Sequence, residues 1–91
     1  MPAVLDAEGR RLLWRCRRGL KELDVLLERY AAAALPGASP AERAVLARLL
    51  ELPDPQLAGY LLAGAVPADP QLAALAGRIR DTGGAALPPR A

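Results

Sequence analysis

Residues 39–50 read SPAERAVLARLL, and this stretch contains the pattern that decides the fold class of the whole chain. Ser39 is a residue type that caps helix N-termini, and Pro40 suits the first helical position, where a missing N–H costs nothing. Glu42 completes the spacing of a capping box. The large apolar residues that follow lie on one side of a helix, at Val45, Leu46, Leu49 and Leu50. This stretch therefore predicts a short amphipathic helix.

The same start signal occurs twice more, at Asp54-Pro55 and at Asp69-Pro70. We interpret both aspartates as helix caps and predict a fourth and a fifth short helix after them. The apolar side of the fourth helix is predicted to consist of Leu57, Tyr60, Leu61 and Leu62.

Two further helices are predicted upstream. Asp6 is the expected cap of a first helix that ends near Arg17, and a second helix is expected over about 20–34. Gly19 interrupts the pattern between them, as a glycine at a helix end does when it takes a positive φ. The chain is thus predicted to be all-α, a compact five-helix bundle with one domain over residues 1–80 and a disordered, flexible tail over 81–91.

The composition of this 91-residue chain excludes several function classes. It contains no histidine and a single cysteine, so the usual zinc sites and the commonest general base are absent. No glycine-rich phosphate loop occurs. Cys16 lies on the apolar side of the first helix, which favours a buried structural thiol over a nucleophile. We predict no catalytic residue, no metal site and no stably bound cofactor.

Localisation follows from the cysteine count and from the apolar runs. A single cysteine indicates a reducing compartment, no apolar run is long enough to span a bilayer, and no signal-peptide pattern is visible. We expect a soluble cytoplasmic monomer with no direct membrane insertion. The net charge of +2 is too small for whole-molecule attraction to nucleic acid.

Positive charge is nevertheless concentrated between residues 10 and 21, where five arginines and one lysine occur without an acidic residue. Trp14 falls among these arginines, on the side of the first helix opposite its apolar residues. Either another helix covers Trp14, or the ring is an exposed aromatic in a basic patch, which is a common composition of a binding hot spot.

The corner formed by Arg18, Gly19 and Glu22 is the strongest candidate for a functional site. Arg18 would offer a two-pronged guanidinium to a carboxylate or phosphate of a partner. Gly19 would let a partner backbone approach, and Glu22 would supply an opposite charge that fixes orientation. The alternative is an ordinary solvated helix corner, which most charge runs are.

Two segments of the sequence carry a resemblance to a known family. Residues 13–24 read LWRCRRGLKELD and contain an Arg-Gly-x-x-Glu motif preceded by Trp14, and residues 49–57 read LLELPDPQL. At this spacing they resemble the two sequence blocks of the succinate dehydrogenase assembly factors, also called FAD assembly factors. The resemblance spans residues 10–80. It departs from the family at Tyr60, where Trp is frequent, and at Pro53, where an acid is common.

The resemblance implies an assembly chaperone and not an enzyme. Members of this family bind the flavoprotein subunit of succinate dehydrogenase, and in some bacteria that of fumarate reductase, and promote covalent attachment of FAD to that subunit. The FAD therefore belongs to the partner. The implied partner-binding residues are Arg18, Gly19, Glu22, Trp14, Arg17 and Asp24.

Two other functions compete with this one. The first two helices and the Gly19 turn would mimic a helix-turn-helix, but Glu22, Asp24 and Glu28 on the second helix would repel the phosphates of nucleic acid. Direct binding of FAD by this chain is the other, and the absence of a dinucleotide-binding loop argues against it.

Overall fold

The computed structural model of the protein describes residues 5–86 and shows five α-helices. They are α1 (Ala7–Arg15), α2 (Lys21–Ala34), α3 (Pro40–Leu50), α4 (Asp54–Leu61) and α5 (Pro70–Ala86), with a short 3-10 turn at Leu35–Gly37. No strand occurs in this part of the chain. The predicted all-α, five-helix fold is confirmed.

Three of the predicted helix caps are present. At α3 the Ser39 hydroxyl accepts a hydrogen bond from the Glu42 amide, and the Glu42 carboxylate accepts one from the Ser39 amide, which completes the capping box. Asp6 caps α1 by accepting from the Gly9 amide at 2.8 Å. Asp69 accepts from the first amides of α5. Local sequence therefore determines where these three helices begin.

The capping role predicted for Asp54 is wrong. Pro53 occupies the cap position of α4, and Asp54 is the first residue inside the helix, with no side-chain hydrogen bond to a helix amide. Its carboxylate accepts instead from the Nε of Arg18, at 2.8 Å. An acid at the first helical turn is favoured by the helix dipole, so Asp54 can make this distant contact without destabilising α4.

Two predicted boundaries also need correction. α1 ends at Arg15 and not near Arg17, because the Cys16 and Arg17 amides bond back to carbonyls three residues earlier and close the helix. α5 continues to Ala86, beyond the predicted end at residue 80, since glycines lower helix propensity without preventing a helix. The rest of the predicted tail, 87–91, lies outside the described residues.

The core is built mainly from leucine, with α2 at its centre. α2 packs most extensively against α5 and also contacts α1 and α4. Among the described residues the buried set contains no charged or polar side chain. The fully or almost fully buried residues are Leu12, Cys16, Leu23, Leu27, Ala31, Leu35, Leu46, Leu49, Leu50, Leu57, Leu61, Leu75, Ala76 and Ile79. The predicted apolar sides thus meet at α2, whose N-terminus follows the Gly19 corner.

One predicted core residue lies at the surface. Leu62 follows the last residue of α4 and is 46% exposed, whereas its neighbour Leu61 is buried. Leu62 is the C-cap residue of α4, with φ −112°, so its side chain does not continue the buried side of the helix.

Neither a membrane span nor a metal cluster is visible in this part of the molecule. None of the helices within residues 5–86 is both long and apolar enough to cross a bilayer. The acidic and cysteine side chains of the same residues form no group that could hold a metal ion.

We predict that Cys16 is unreactive in the folded protein. Its side chain is fully buried, and burial raises the pKa of the thiol from 9.0 to about 12. At about pH 8 the reactive thiolate is then roughly 1000-fold scarcer than in the unfolded chain. Alkylation by iodoacetamide, followed by mass spectrometry, should be slow in buffer and fast in concentrated urea. Equal rates in the two conditions would contradict the buried position.

We also predict that three carboxylates make the stability of the fold fall in acid. Hydrogen bonds from the Gly9 and Ser39 amides lower the pKa of Asp6 and Glu42, and the Arg48 guanidinium lowers that of Asp69. Because these pKa values are lower in the folded state, their stabilisation is complete above the ordinary values of 3.8 and 4.5 and disappears as the pH falls through the folded ones.

Thermal unfolding followed by circular dichroism should therefore give a constant Tm from about pH 7 to pH 5.5 and a falling Tm below about pH 4. Asp69→Asn should lower the Tm near neutrality and make the acid decrease shallower. A Tm that falls steeply above pH 5.5 would contradict this assignment.

Candidate functional site

The candidate site is the corner between α1 and α2, and its shape depends on Gly19. Gly19 has φ +83°, a backbone conformation that residues with a side chain rarely adopt. A Cβ atom placed on Gly19 would meet no atom within 4 Å. The glycine is thus required by the backbone and not by internal packing. The open space on its outer side is free for another molecule.

Asp24 holds this corner from inside the second helix. Its carboxylate accepts hydrogen bonds from two consecutive backbone amides, that of Arg18 at 2.7 Å and that of Gly19 at 3.2 Å. Leu20, at the cap position of α2, has no side-chain group that could do this. Asp24 was predicted as a neighbour on a partner-binding surface, and the structure shows that its carboxylate is engaged within the chain.

Arg18 is also engaged within the chain. Its Nε donates to Asp54 at 2.8 Å, and its two terminal nitrogens donate to the carbonyl oxygens of Leu50 and Leu52 at 2.8 and 2.9 Å. Only 16% of the side chain is exposed. The expectation of a free guanidinium fork for a partner is therefore wrong, because α3 ends with carbonyls that need donors and Arg18 supplies them.

The contacts of Arg18 join the two sequence segments that carry the family resemblance. Arg18 lies in the first segment, and Leu50, Leu52 and Asp54 lie in the second. Contact between the two segments was not predicted from the sequence, and neither was Asp54 as a site residue. Pro53 is the sequence feature that could have indicated this role. When the residue before Asp54 takes the cap position, the Asp54 carboxylate is free for another contact.

Glu22 lies on the exposed side of the corner. It is at the first turn of α2, and its carboxylate has no hydrogen bond or ion pair with any residue that the structure describes. It also lines a groove of about 320 Å³ whose other walls are Lys21, Val25, Leu26 and Leu62. Glu22 is thus a free charge at the edge of an apolar groove. The accessible charge was predicted from the sequence, whereas the groove was not.

Trp14 lies on the α1 side of the corner and is 70% exposed. The alternative in which another helix covers this ring is therefore wrong. The guanidinium of Arg17 lies 5.4 Å from the centre of the ring, and its Nε pairs with Glu28 at 3.4 Å. A cation over an indole stabilises an exposed ring in one orientation. Trp14 and Arg17 together form a preorganised surface feature directly before the corner.

The site as a whole is suited to docking and not to bond-making. Two of the residues predicted to bind a partner, Arg18 and Asp24, instead form hydrogen bonds within the chain that hold the corner in place. The four other predicted residues are accessible from outside, namely Gly19, Glu22, Trp14 and Arg17. The amides of the corner are occupied by Asp24, so they do not form a site for an anion.

Comparison with known proteins gives a consistent family. The family model described as "flavinator of succinate dehydrogenase" matches residues 10–83. The FAD assembly factor SdhE of Methylococcus capsulatus is 49% identical over 70 residues, which cover 77% of this chain and 84% of the relative. The protein of the same name from Xylella fastidiosa strain 9a5c is 43% identical over 74 residues, which cover 81% and 76%.

A more divergent relative covers still more of the chain. The FAD assembly factor SdhE of Pseudomonas aeruginosa is 34% identical over 76 residues, or 84% of this chain and 90% of the relative. The region matched by the family model begins inside α1 and contains the Gly19 corner and the starts of the other four helices. We conclude that this chain belongs to the FAD assembly factor family, whose model describes the flavinator of succinate dehydrogenase.

Proposed function

We propose that this chain is an assembly chaperone that binds the flavoprotein subunit of succinate dehydrogenase and promotes covalent attachment of FAD to it. The observation that carries the proposal is the Gly19 corner, which is rigid inside and open outside. Family membership supplies the partner class. The FAD is that of the partner, and the chain is not itself an enzyme.

The corner promotes the reaction by binding one conformation of the flavoprotein better than others. A ligand shifts a conformational equilibrium only as far as its affinities for the two states differ. A corner that is already ordered loses little conformational entropy on docking, so more of the contact energy remains for this selection. Formation of the flavin-protein bond is left to the cofactor and to the partner's own residues.

The exposed side chains give the docking surface its chemistry. Glu22 offers an unpaired carboxylate to a cation of the partner, and the groove beside it offers Val25 and Leu62 to an apolar side chain. Trp14, fixed by Arg17, extends the surface along α1. An aromatic anchor together with a charged contact is the usual composition of a binding hot spot.

The same surface would serve the flavoprotein subunit of fumarate reductase if that subunit presents the same contacts, and we include it as a second client to be tested. We place the chain in the cytoplasm as a monomer. Nucleic-acid binding is the weaker alternative, because Arg18 is occupied by Asp54 and two carbonyls and cannot contact a phosphate. A salt-sensitive gel shift with duplex DNA would revive it.

We predict that Gly19→Arg abolishes chaperone activity while Gly19→Ala retains much of it. Both variants place a side chain at positive φ, at a cost of about 1–2 kcal/mol, but only arginine adds a long charged group to the open side of the corner. Covalent flavin in the flavoprotein is measured by fluorescence in denaturing gels after co-expression.

Gly64→Arg is the matched control for this comparison. Gly64 has φ +82° and equally open surroundings, so the substitution causes the same backbone strain at a residue that does not line the groove beside Glu22. We expect a similar loss of Tm and near-normal flavinylation. Wild-type flavinylation by Gly19→Arg would reject the docking proposal.

We predict that Glu22→Gln weakens binding of the flavoprotein about tenfold, the effect of losing one charged hydrogen bond worth about 1.5 kcal/mol. The Tm should fall only slightly, because within the described residues the carboxylate forms no hydrogen bond or ion pair and only interacts favourably with the dipole of α2. Asp81→Asn removes the same charge from an exposed position on α5 and should leave the affinity unchanged. Titration calorimetry measures both. Equal affinities for the wild type and Glu22→Gln would exclude Glu22 from the interface.

A further inference from the structure

We infer that Asp54, on α4, is a positioning residue for the docking corner and acts on it through Arg18. The inference rests on the proposed function, because Asp54 is inferred to control the conformation of the corner and thereby its affinity for a partner. Asp54 lies 36 residues from Arg18 in the sequence, and it does not need to touch the partner for this effect.

The first step runs from Asp54 to Arg18. Three hydrogen bonds of 2.8, 2.8 and 2.9 Å hold the guanidinium against Asp54 and against the carbonyls of Leu50 and Leu52. The two carbonyls only accept, so they accommodate any donor, whereas the carboxylate supplies the opposite charge. An ion pair in which one side chain is only 16% exposed is screened less by solvent than one at the surface. Asp54 is thus the residue that gives the guanidinium its single orientation.

The second step runs from Arg18 to the corner. The backbone amide of Arg18 and that of Gly19 both donate to Asp24 on α2. Residue 18 is therefore tied to α4 by its side chain and to α2 by its main chain. Gly19, at φ +83°, is the next residue and takes its position from these two attachments.

The third step concerns the relative placement of α2 and α4. Among the side-chain hydrogen bonds and ion pairs of the described residues, the contact of Arg18 with Asp54 is the one that joins α4 to the corner. The groove beside Glu22 is lined by Val25 and Leu26 of α2 and by Leu62, at the end of α4. Release of Arg18 would therefore loosen both the Gly19 corner and the alignment of this groove.

A purely structural role for Asp54 predicts a different result, and the chain contains a control for it. Asp69 also pairs with an arginine, Arg48, and in addition caps α5, so its removal should cost at least as much stability as removal of Asp54. Asp69 does not contact the corner or the groove. Loss of stability alone would then weaken partner binding at least as much in Asp69→Ala as in Asp54→Ala.

The experiment compares Asp54→Ala, Asp69→Ala and Gly19→Arg in the full chain. The affinity for the purified flavoprotein subunit of succinate dehydrogenase is measured by calorimetry, well below the lowest Tm of the set. Amide hydrogen exchange at Arg18 and Gly19 is measured by NMR on the same samples. Asp54→Asn, which keeps the shape and an accepting oxygen but loses the charge, provides a second variant if Asp54→Ala does not fold.

We expect Asp54→Ala to bind roughly tenfold more weakly and to exchange the Arg18 and Gly19 amides faster, and Asp54→Asn to be intermediate. Asp69→Ala should bind like the wild type and keep slow exchange at both amides. If the two alanine variants bind equally well, or if Asp54→Ala keeps wild-type affinity, the positioning role is wrong. Gly19→Arg distinguishes failure of the positioning role from failure of the proposed function. Wild-type affinity in that variant would reject docking through the Gly19 corner itself.

Discussion

Arg18 joins two parts of the chain that are far apart in sequence, the α1–α2 corner and the segment from the end of α3 to the start of α4. It donates to Asp54 at the start of α4 and to two carbonyls at the end of α3, while its own backbone amide donates to Asp24 of α2. Withdrawing a guanidinium from water costs less free energy when its donors are hydrogen-bonded, and these directed contacts favour one orientation of the Arg18 side chain. The position of the α1–α2 corner follows from it.

The corner combines a fixed interior with an open exterior, and the two depend on different residues. On the inner side Asp24 accepts from the amides of Arg18 and Gly19, whereas Gly19 adds no side chain on the outer side. Glu22 and Trp14 then stand on either side of the corner as accessible groups. Rigidity at such a surface favours a partner by lowering the entropy lost on binding.

The leucine core explains why the hydrogen bonds of Arg18 and Asp24 matter in so short a chain. A domain of this size buries only about two-thirds of the surface of its unfolded chain, and its helices are too short to be stable alone. Leu23, Leu27 and Ala31 place α2 at the centre of the core. Apolar packing fixes the distances between helices but is non-directional, so a set of aimed hydrogen bonds is needed to define the corner.

The number of helices and most of their starts could be predicted from the sequence, because caps and apolar periodicity are local. Ser39 with Glu42, Asp6 and Asp69 begin helices as predicted, and most of the leucines face the core as their spacing indicates. The sequence also identified Gly19, since a helical pattern broken by glycine has few backbone solutions.

The partners of Arg18 and Asp54, in contrast, depended on tertiary structure. A sequence shows that Arg18 and Asp54 are charged, but whether each faces a partner, solvent or the other depends on how segments 36 residues apart pack together. The same holds for Trp14, which could be covered or exposed, and for Leu62, which lies outside the core. Local patterns fix the direction of a side chain relative to its own helix, whereas its neighbours are set by the packing of all five helices.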